Sequence, residues 1–311
     1  MGIEIRARRQ EVESGMSDFG ADFWTGRQIG VVGAGRAARA LALALRDPAG
    51  APVSIWGRDP ARRDAAAAET GGQGEEKLAT IPGRCDIIAL AVADDALDAV
   101  VADMADAARP GAFIFHVSGR SGAAALEPLA KRGALTAAIH PAMTFTGDTR
   151  NEVARMAGAR FAVTAPHGDA MALAQALVRR LGGVPVAVAE AHRTLYHAAL
   201  SHAANHLVTL IAGARAALEA AGVKEPGALL APLTRAALDN SLDRGMDALS
   251  GPLLRGDAGT VADHLGALER DFPALLPAYR AMANATLDAL EREGGPVSPA
   301  IGRLLAPPGT E

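Results

Sequence analysis

From residue 28 onward, short runs of apolar and β-branched residues alternate with longer stretches rich in Ala and Leu. Residues 28–32 and 53–56 read as strands around a helix over about 37–46, which is a βαβ unit. The alternation continues with a helix near 61–69, a strand at 86–92, a helix at 96–107, a strand at 112–117, a helix at 124–131 and a strand at 135–139. Runs at 160–164 and 184–189, separated by a helix over about 169–181, extend the same sheet. These runs are apolar without a two-residue alternation, as expected of parallel strands buried on both faces. The predicted class is α/β, with an N-terminal doubly wound Rossmann sheet.

Beyond residue 189 the strand signals stop, and helices broken by Gly and Pro are expected at 192–221, 227–244, 261–272 and 275–293. The predicted organisation is a mobile tail over 1–26, a nucleotide-binding Rossmann domain over 27–189 and an all-α substrate and dimerisation domain over 190–311. Met16 offers an alternative start, and the Pro307-Pro308-Gly309 end is expected to fray.

Composition narrows the classes. A chain of 311 residues, half of them apolar, can bury two cores. A net charge of -4 without a basic run gives no field for a phosphate backbone, so nucleic acid is not an expected partner. No run approaches the roughly 18–20 apolar residues of a membrane span. The single cysteine, Cys85, opens a predicted strand and reads as a small hydrophobe in a reducing cytoplasm.

Gly33-Ala34-Gly35-Arg36-Ala37-Ala38 joins the first strand to the first helix and fits G-x-G-x-x-G/A. Gly33 permits the turn, Gly35 lets the backbone approach a pyrophosphate, and small Ala38 allows helix and strand to pack closely. FAD and S-adenosylmethionine proteins use related loops, so the end of the second strand must choose the cofactor. There Gly57 stands where an NAD site places a carboxylate, and Arg58 offers a forked cation for a 2′-phosphate. NADP is therefore favoured, with Arg62 and Arg63 as possible additions and Asp59 as the ribose ligand of an NAD alternative. Ala93 follows the next strand, where backbone would pass the nicotinamide ribose, and Asp94 or Asp95 is expected to cap the following helix.

Polar residues just after strands lie where ligands bind in such sheets. Ser118, after His116-Val117, and His140, before Pro141, can converge on one substrate oxygen, the imidazole moving a proton and the hydroxyl holding the carbonyl or imine. The alternative is a turn serine and a histidine beside a proline. On the first helix of the second domain, His197, Ser201 and Asn205 share one face. His197 is a second candidate acid, and Asn205 can orient a carboxylate or amide. His202 and His206 stand on neighbouring faces, and no cluster has metal-site spacing, so no metal is expected.

The segments Gly33-Ala34-Gly35, His116-Val117-Ser118-Gly119, His140-Pro141-Ala142-Met143-Thr144-Phe145, Leu195-Tyr196-His197-Ala198-Ala199 through Asn205, and Gly251-Pro252-Leu253-Leu254-Arg255-Gly256-Asp257 occur in this order. Over residues 28–292 the chain resembles the "Rossmann-like plus DUF2520" family. That family sits with the 6-phosphogluconate dehydrogenase-like reductases, which include pyrroline-5-carboxylate reductase and ketopantoate reductase. The resemblance implies an NADPH-dependent reductase of a small 2-oxo acid such as ketopantoate, or of a related imine, held between the domains in a homodimer. Ser118 and His140 are also similar to the Ser…His-Pro-Met pattern of prephenate dehydrogenases, although Ala142 interrupts it and Thr144-Phe145 replaces the expected Phe-Gly. Where better-known ketopantoate reductases carry a lysine, His197 would have to substitute. Pro252 and Gly256 are expected to shape a helix-helix loop, with Asp257 starting the next helix. A nucleotide-binding sensor without chemistry is the rival reading.

Overall fold

The computed structural model describes residues 21–46, 50–166 and 168–306. The expected N-terminal tail as far as residue 20, including Met16, and the Pro307-Pro308-Gly309 end lie outside the described residues. In chain order the elements are α1 Ala21–Trp24, β1 Ile29–Val32, α2 Arg36–Leu45, β2 Ser54–Trp56, α3 Pro60–Thr70, β3 Gln73–Glu75, α4 Thr80–Arg84, β4 Ile87–Leu90, α5 Leu97–Ala105 and β5 Phe113–His116. They continue with α6 Glu127–Ala130, β6 Leu135–Pro141, α7 Thr149–Met156, β7 Arg160–Thr164, α8 Asp169–Arg180, β8 Val184–Ala187 and α9 Arg193–Ala220. After these come α10 Pro226–Arg244, α11 Pro252–Arg255, α12 Ala258–Asp271, α13 Leu276–Arg292 and α14 Pro299–Leu305.

Two compact units are present, Met1–Ser201 and His202–Glu311. The division falls inside α9, later than the expected boundary near 190, because the first residue of that helix, Arg193, is buried against the sheet unit.

The first unit holds one eight-stranded sheet in the order β3-β2-β1-β4-β5-β6-β7-β8. Its first six strands follow the doubly wound order of dinucleotide-binding sheets. One face is covered by α2 and α8 through Leu41, Leu45, Leu173 and Leu177, which pack on Val31, Phe113 and Phe161. The other is covered by α4 and α5 through Ile81, Leu97, Val101 and Met104 over Ile88, Leu90 and Ile114. Each fully buried large apolar side chain contributes about 1.5–3 kcal/mol, so the two layers together hold the strand ends in register.

Several expectations are corrected. β7 runs antiparallel to β6, unlike every other neighbouring pair. β8 is not buried on both faces: Val184 and Val186 are 37% and 42% exposed. Strand β3 was not expected, since Gln73-Gly74-Glu75 carries no apolar signal and forms only by pairing with β2 at the edge. Helix α7 was not expected either; Asp148 caps it by accepting from the Asn151 amide at 3.2 Å.

The second unit shows helices and no strand among its described residues. Its core joins Val261, Leu265, Ala283, Leu287, Ile301 and Leu305. Gly256 closes α11 in the left-handed conformation, and Asp257 begins α12 by accepting from the Thr260 amide at 3.0 Å. Among the described residues no helix is long and apolar enough to cross a membrane.

Candidate functional site at the carboxyl ends of the strands

The loop after β1 has the backbone a nucleotide phosphate requires. Gly33 has φ 131°, and a Cβ there would run into the Ala91 carbonyl, with the carbonyl carbon at 2.8 Å. Gly35 is the N-cap of α2, where no side chain caps the helix and a Cβ direction opens into free space. The first-turn amides of α2 are therefore uncapped, with open space at Gly35, which fits an anion. Ala38 is 2% exposed against the sheet. Ala34 limits β2 in turn, because a Cβ on Gly57 would lie 3.0 Å from the Ala34 methyl. Exposed Arg36 donates to the Phe145 carbonyl at 3.5 Å, and Ala37 follows it into the helix.

At the end of β2, Asp59 accepts from the amides of Ala61 and Arg62 at 2.9 and 3.2 Å and so caps α3. Its carboxylate is committed to that helix. Arg62 lies 3.6 Å from the same carboxylate, and Arg63 pairs with Asp64 at 2.7 Å. Arg58 is exposed and has no hydrogen-bond or ion-pair partner among the described residues. Ala93 is exposed beyond β4. Neither Asp94 nor Asp95 caps α5, a correction: the N-cap is Ala96, and Asp94 instead meets Arg120 at 3.4 Å.

The adjacent strands β5 and β6 bring the next group together. His116, fully buried, accepts from the Ser118 amide at Nδ1 (3.1 Å), so its Nε2–H donates to the Gly122 carbonyl at 2.9 Å. Burial pushes this imidazole down to about 4, outweighing the raising effect of the Gly122 bond. Ser118 is 8% exposed, and its hydroxyl oxygen accepts from the Ser121 amide at 3.2 Å. The turn role expected as the alternative for Ser118 is thus present.

His140 lies within β6 rather than after it. Its Nδ1 is 2.9 Å from the Tyr196 hydroxyl, and its ring meets those of Tyr196 and His197 edge to face at 5.6 and 6.0 Å. Burial, then the nearby Arg193 and His197, hold its pKa down at about 4. Burial also raises the Tyr196 phenol. Gly119 lies beneath both histidines: a Cβ there would be 3.0 Å from His140 Nε2 and would collide with His197 Cδ2. His140, Tyr196, His197 and Gly119 therefore form one contiguous group, flanked by Ser118. Asn205 is exposed and falls in the second unit.

Tyr196, Arg193 and His116 were not singled out from the sequence as chemical residues. The signal was present for the first two, because Arg193, Tyr196 and His197 stand at i, i+3 and i+4 and so share one helical face. Cys85 is a buried thiol that burial pushes up to about 11, an inert group. Among the described residues no group of three or more His, Cys, Asp or Glu could hold a metal ion.

Residues 18–141 match the family described as "Rossmann-like domain", and residues 159–286 match "Domain of unknown function (DUF2520)". The chain belongs to the family in which these two domains follow one another. No curated protein matches it. Among solved structures, BF3122 from Bacteroides fragilis, provisionally described as an NADP oxidoreductase, is 20% identical with a TM-score of 0.72, covering 85% of this chain and 98% of its own. An imine reductase from Myxococcus stipitatus in complex with NADP+ is 20% identical with a TM-score of 0.63, covering 90% of this chain and 100% of its own. A reductive aminase from Aspergillus terreus in complex with NADPH and ethyl levulinate is 16% identical with a TM-score of 0.63, covering 90% of this chain and 99% of its own. At these identities the likeness establishes the fold.

Fully buried His116 and half-buried His140, both held neutral, make stability depend on pH. The unfolded chain protonates them near the ordinary 6.5, whereas the folded chain resists until about 4. Their contribution is complete above that ordinary value and is lost as pH falls toward 4. Urea midpoints should therefore decline between pH 6.5 and 4, and His116→Gln should flatten that slope. An unchanged slope in the variant would remove His116 from the account.

Proposed function

We propose that this protein is an NADPH-dependent oxidoreductase that reduces a small carbonyl substrate of the 2-oxo acid type, ketopantoate-like, or a related imine. The observation that carries the reading is the Tyr196–His140 pair over Gly119, set at the carboxyl ends of β5 and β6 on the sheet whose β1 end forms the phosphate loop. The nicotinamide complexes among the structural neighbours support the same cofactor class. Bound NADPH would supply a hydride to the substrate carbon.

The chain's own contribution is the proton. With the Tyr196 hydroxyl donating to Nδ1, His140 keeps its ring proton on Nε2, the side that faces Gly119. That N–H donates to the substrate oxygen as negative charge develops, and Tyr196 replaces the proton at Nδ1. No imidazolium forms along this route, in keeping with an imidazole whose protonation is strongly disfavoured. His197 and Ser118 line the same spot. We assign Gly33, Ala34, Gly35, Arg36, Ala37 and Ala93 to the nucleotide, and unpartnered Arg58 to its 2′-phosphate. Asp59, engaged as a helix cap, weighs against the NAD alternative.

Arg58→Ala should weaken NADPH binding about 10- to 100-fold, the size of a lost charge-assisted bond, and leave NADH binding unchanged in a fluorescence titration. An unchanged NADPH affinity would remove Arg58 from the cofactor site. Tyr196→Phe and His140→Ala should each lower turnover by about 10²–10⁴-fold with NADPH affinity nearly unchanged. Full turnover in both variants would overturn the proton assignment. Tight NADPH binding without hydride transfer to 2-oxo acids, prephenate-like substrates or imines would favour the sensor reading.

We further propose a homodimer through the helical part. Helices α9 and α10 bury only Arg193 and Pro226, while Val208, Leu210, Leu229, Leu233, Leu238 and Leu242 are exposed. Long helices are held mainly by covering an apolar face. The double variant Leu233→Glu, Leu242→Glu should sediment as a monomer where the parent sediments as a dimer. A monomeric parent at micromolar concentration would end this proposal.

A further inference from the structure

Arg193 is 1% exposed at the first position of α9. Its Nε donates to the Ser121 carbonyl at 3.0 Å, one Nη to the Ala162 carbonyl at 3.3 Å and the other to the Ser118 carbonyl at 2.5 Å. One guanidinium thus joins the loop after β5, strand β7 and the helix that carries Tyr196 and His197. Its carbon lies 5.5 Å from the centre of the Tyr196 ring. Among the described residues it forms no ion pair, and the Glu190 carboxylate is directed to the Ala124 amide at 3.3 Å. A buried cation held by carbonyl dipoles and an aromatic face, without a direct ion pair, is expensive to maintain. Filling the space alone would need only an apolar side chain.

We propose that Arg193 is the positioning residue of this site: its fork fixes the Ser118–Ser121 loop beneath His140 and ties it to the helix that carries Tyr196. This rests on His140 and Tyr196 being the reacting pair. The loop is held from its other side by His116, which binds the Gly122 carbonyl and the Ser118 amide. Gly119, between these two anchors, sets how near His140 Nε2 and His197 can lie. The charged or titratable groups acting on His140 are Arg193, His197 and Tyr196 from α9, His116 from β5 and Asp94 from the segment after β4. Only Arg193 is a permanent cation among them, and Asp94 is drawn toward Arg120.

The test uses the full chain with Arg193→Lys, which keeps the charge and loses the fork, and Arg193→Met, which loses both. Nitrogen NMR of the His140 ring and amide exchange at Gly119 and Ser121 are followed beside turnover. Exchange at both amides should quicken at least about 10-fold in each variant. Turnover should fall on the order of 100-fold, with the KM for NADPH unchanged. With burial still acting, the His140 titration should rise part of the way toward its ordinary range in Arg193→Met and stay low in Arg193→Lys. Unchanged exchange and an unchanged His140 titration in folded Arg193→Met would overturn the proposal. If Arg193→Met does not fold, unchanged exchange in Arg193→Lys overturns it alone. A parent without turnover on any carbonyl or imine would sink the reductase reading, while the NMR and exchange results would still decide the role of Arg193.

Discussion

Where β1 turns into α2, the backbone of Gly33 passes so close to the Ala91 carbonyl after β4 that no side chain fits between them. β1 and β4 are neighbours at the point where the strand order reverses, and the chain leaves β1 toward one face of the sheet and β4 toward the other. This divergence opens a crevice at the carboxyl ends. The close approach places the uncapped start of α2 at that crevice, and strand order then fixes the rest. β5 and β6, the next two strands, deliver Gly119 and His140 to the same end of the sheet. A larger residue at position 33 would displace the phosphate loop and the edge of the crevice together.

The buried polar groups around this end bind the main chain rather than one another. His116 holds the Ser118 amide and the Gly122 carbonyl, Arg193 holds three carbonyls, and Glu152 accepts from the amides of Thr146 and Gly147. Most of these bonds fix loops, and the Arg193 bond to Ala162 ties the loop after β5 to strand β7. The Glu152 loop also presents the Phe145 carbonyl to Arg36, so the segment after β6 and the nucleotide loop share a contact. Loops that would otherwise fluctuate are thereby given one conformation, at the cost of desolvating several polar groups, among them Glu152, one of whose carboxylate oxygens is buried without a hydrogen-bond partner among the described residues.

The periodicity of the sequence made the sheet legible because seven of its strands are short apolar or β-branched runs, most of them buried, although β8 sits at an exposed edge. β3 escaped notice because an edge strand of Gln, Gly and Glu is recruited by its neighbour rather than by its own composition. The reversed direction of β7 was also hidden, since direction depends on where α7 returns the chain and α7 has a mostly polar sequence. In the site, glycines and histidines at strand ends were readable from position alone. Tyr196 was legible only through the helical face it shares with Arg193 and His197, and a tyrosine in an Ala/Leu-rich helix otherwise looks like core until its hydroxyl is seen 2.9 Å from a histidine on a distant strand.

The chemistry of that pair follows from how burial treats its two members. Removing water disfavours the imidazolium of His140 and the phenolate of Tyr196 alike, so the resting pair is neutral on both sides. A neutral pair joined by one hydrogen bond can pass a proton along without holding charge at rest, and it does not attract a bulk proton as pH drops through the ordinary histidine range. Its weak point is the moment after transfer, when the phenol has given up its proton. The guanidinium of Arg193 lies under the Tyr196 ring, and its charge favours the phenolate at that step while opposing the imidazolium throughout. One buried cation therefore acts in the same direction on both groups, which a carboxylate in its place could not do.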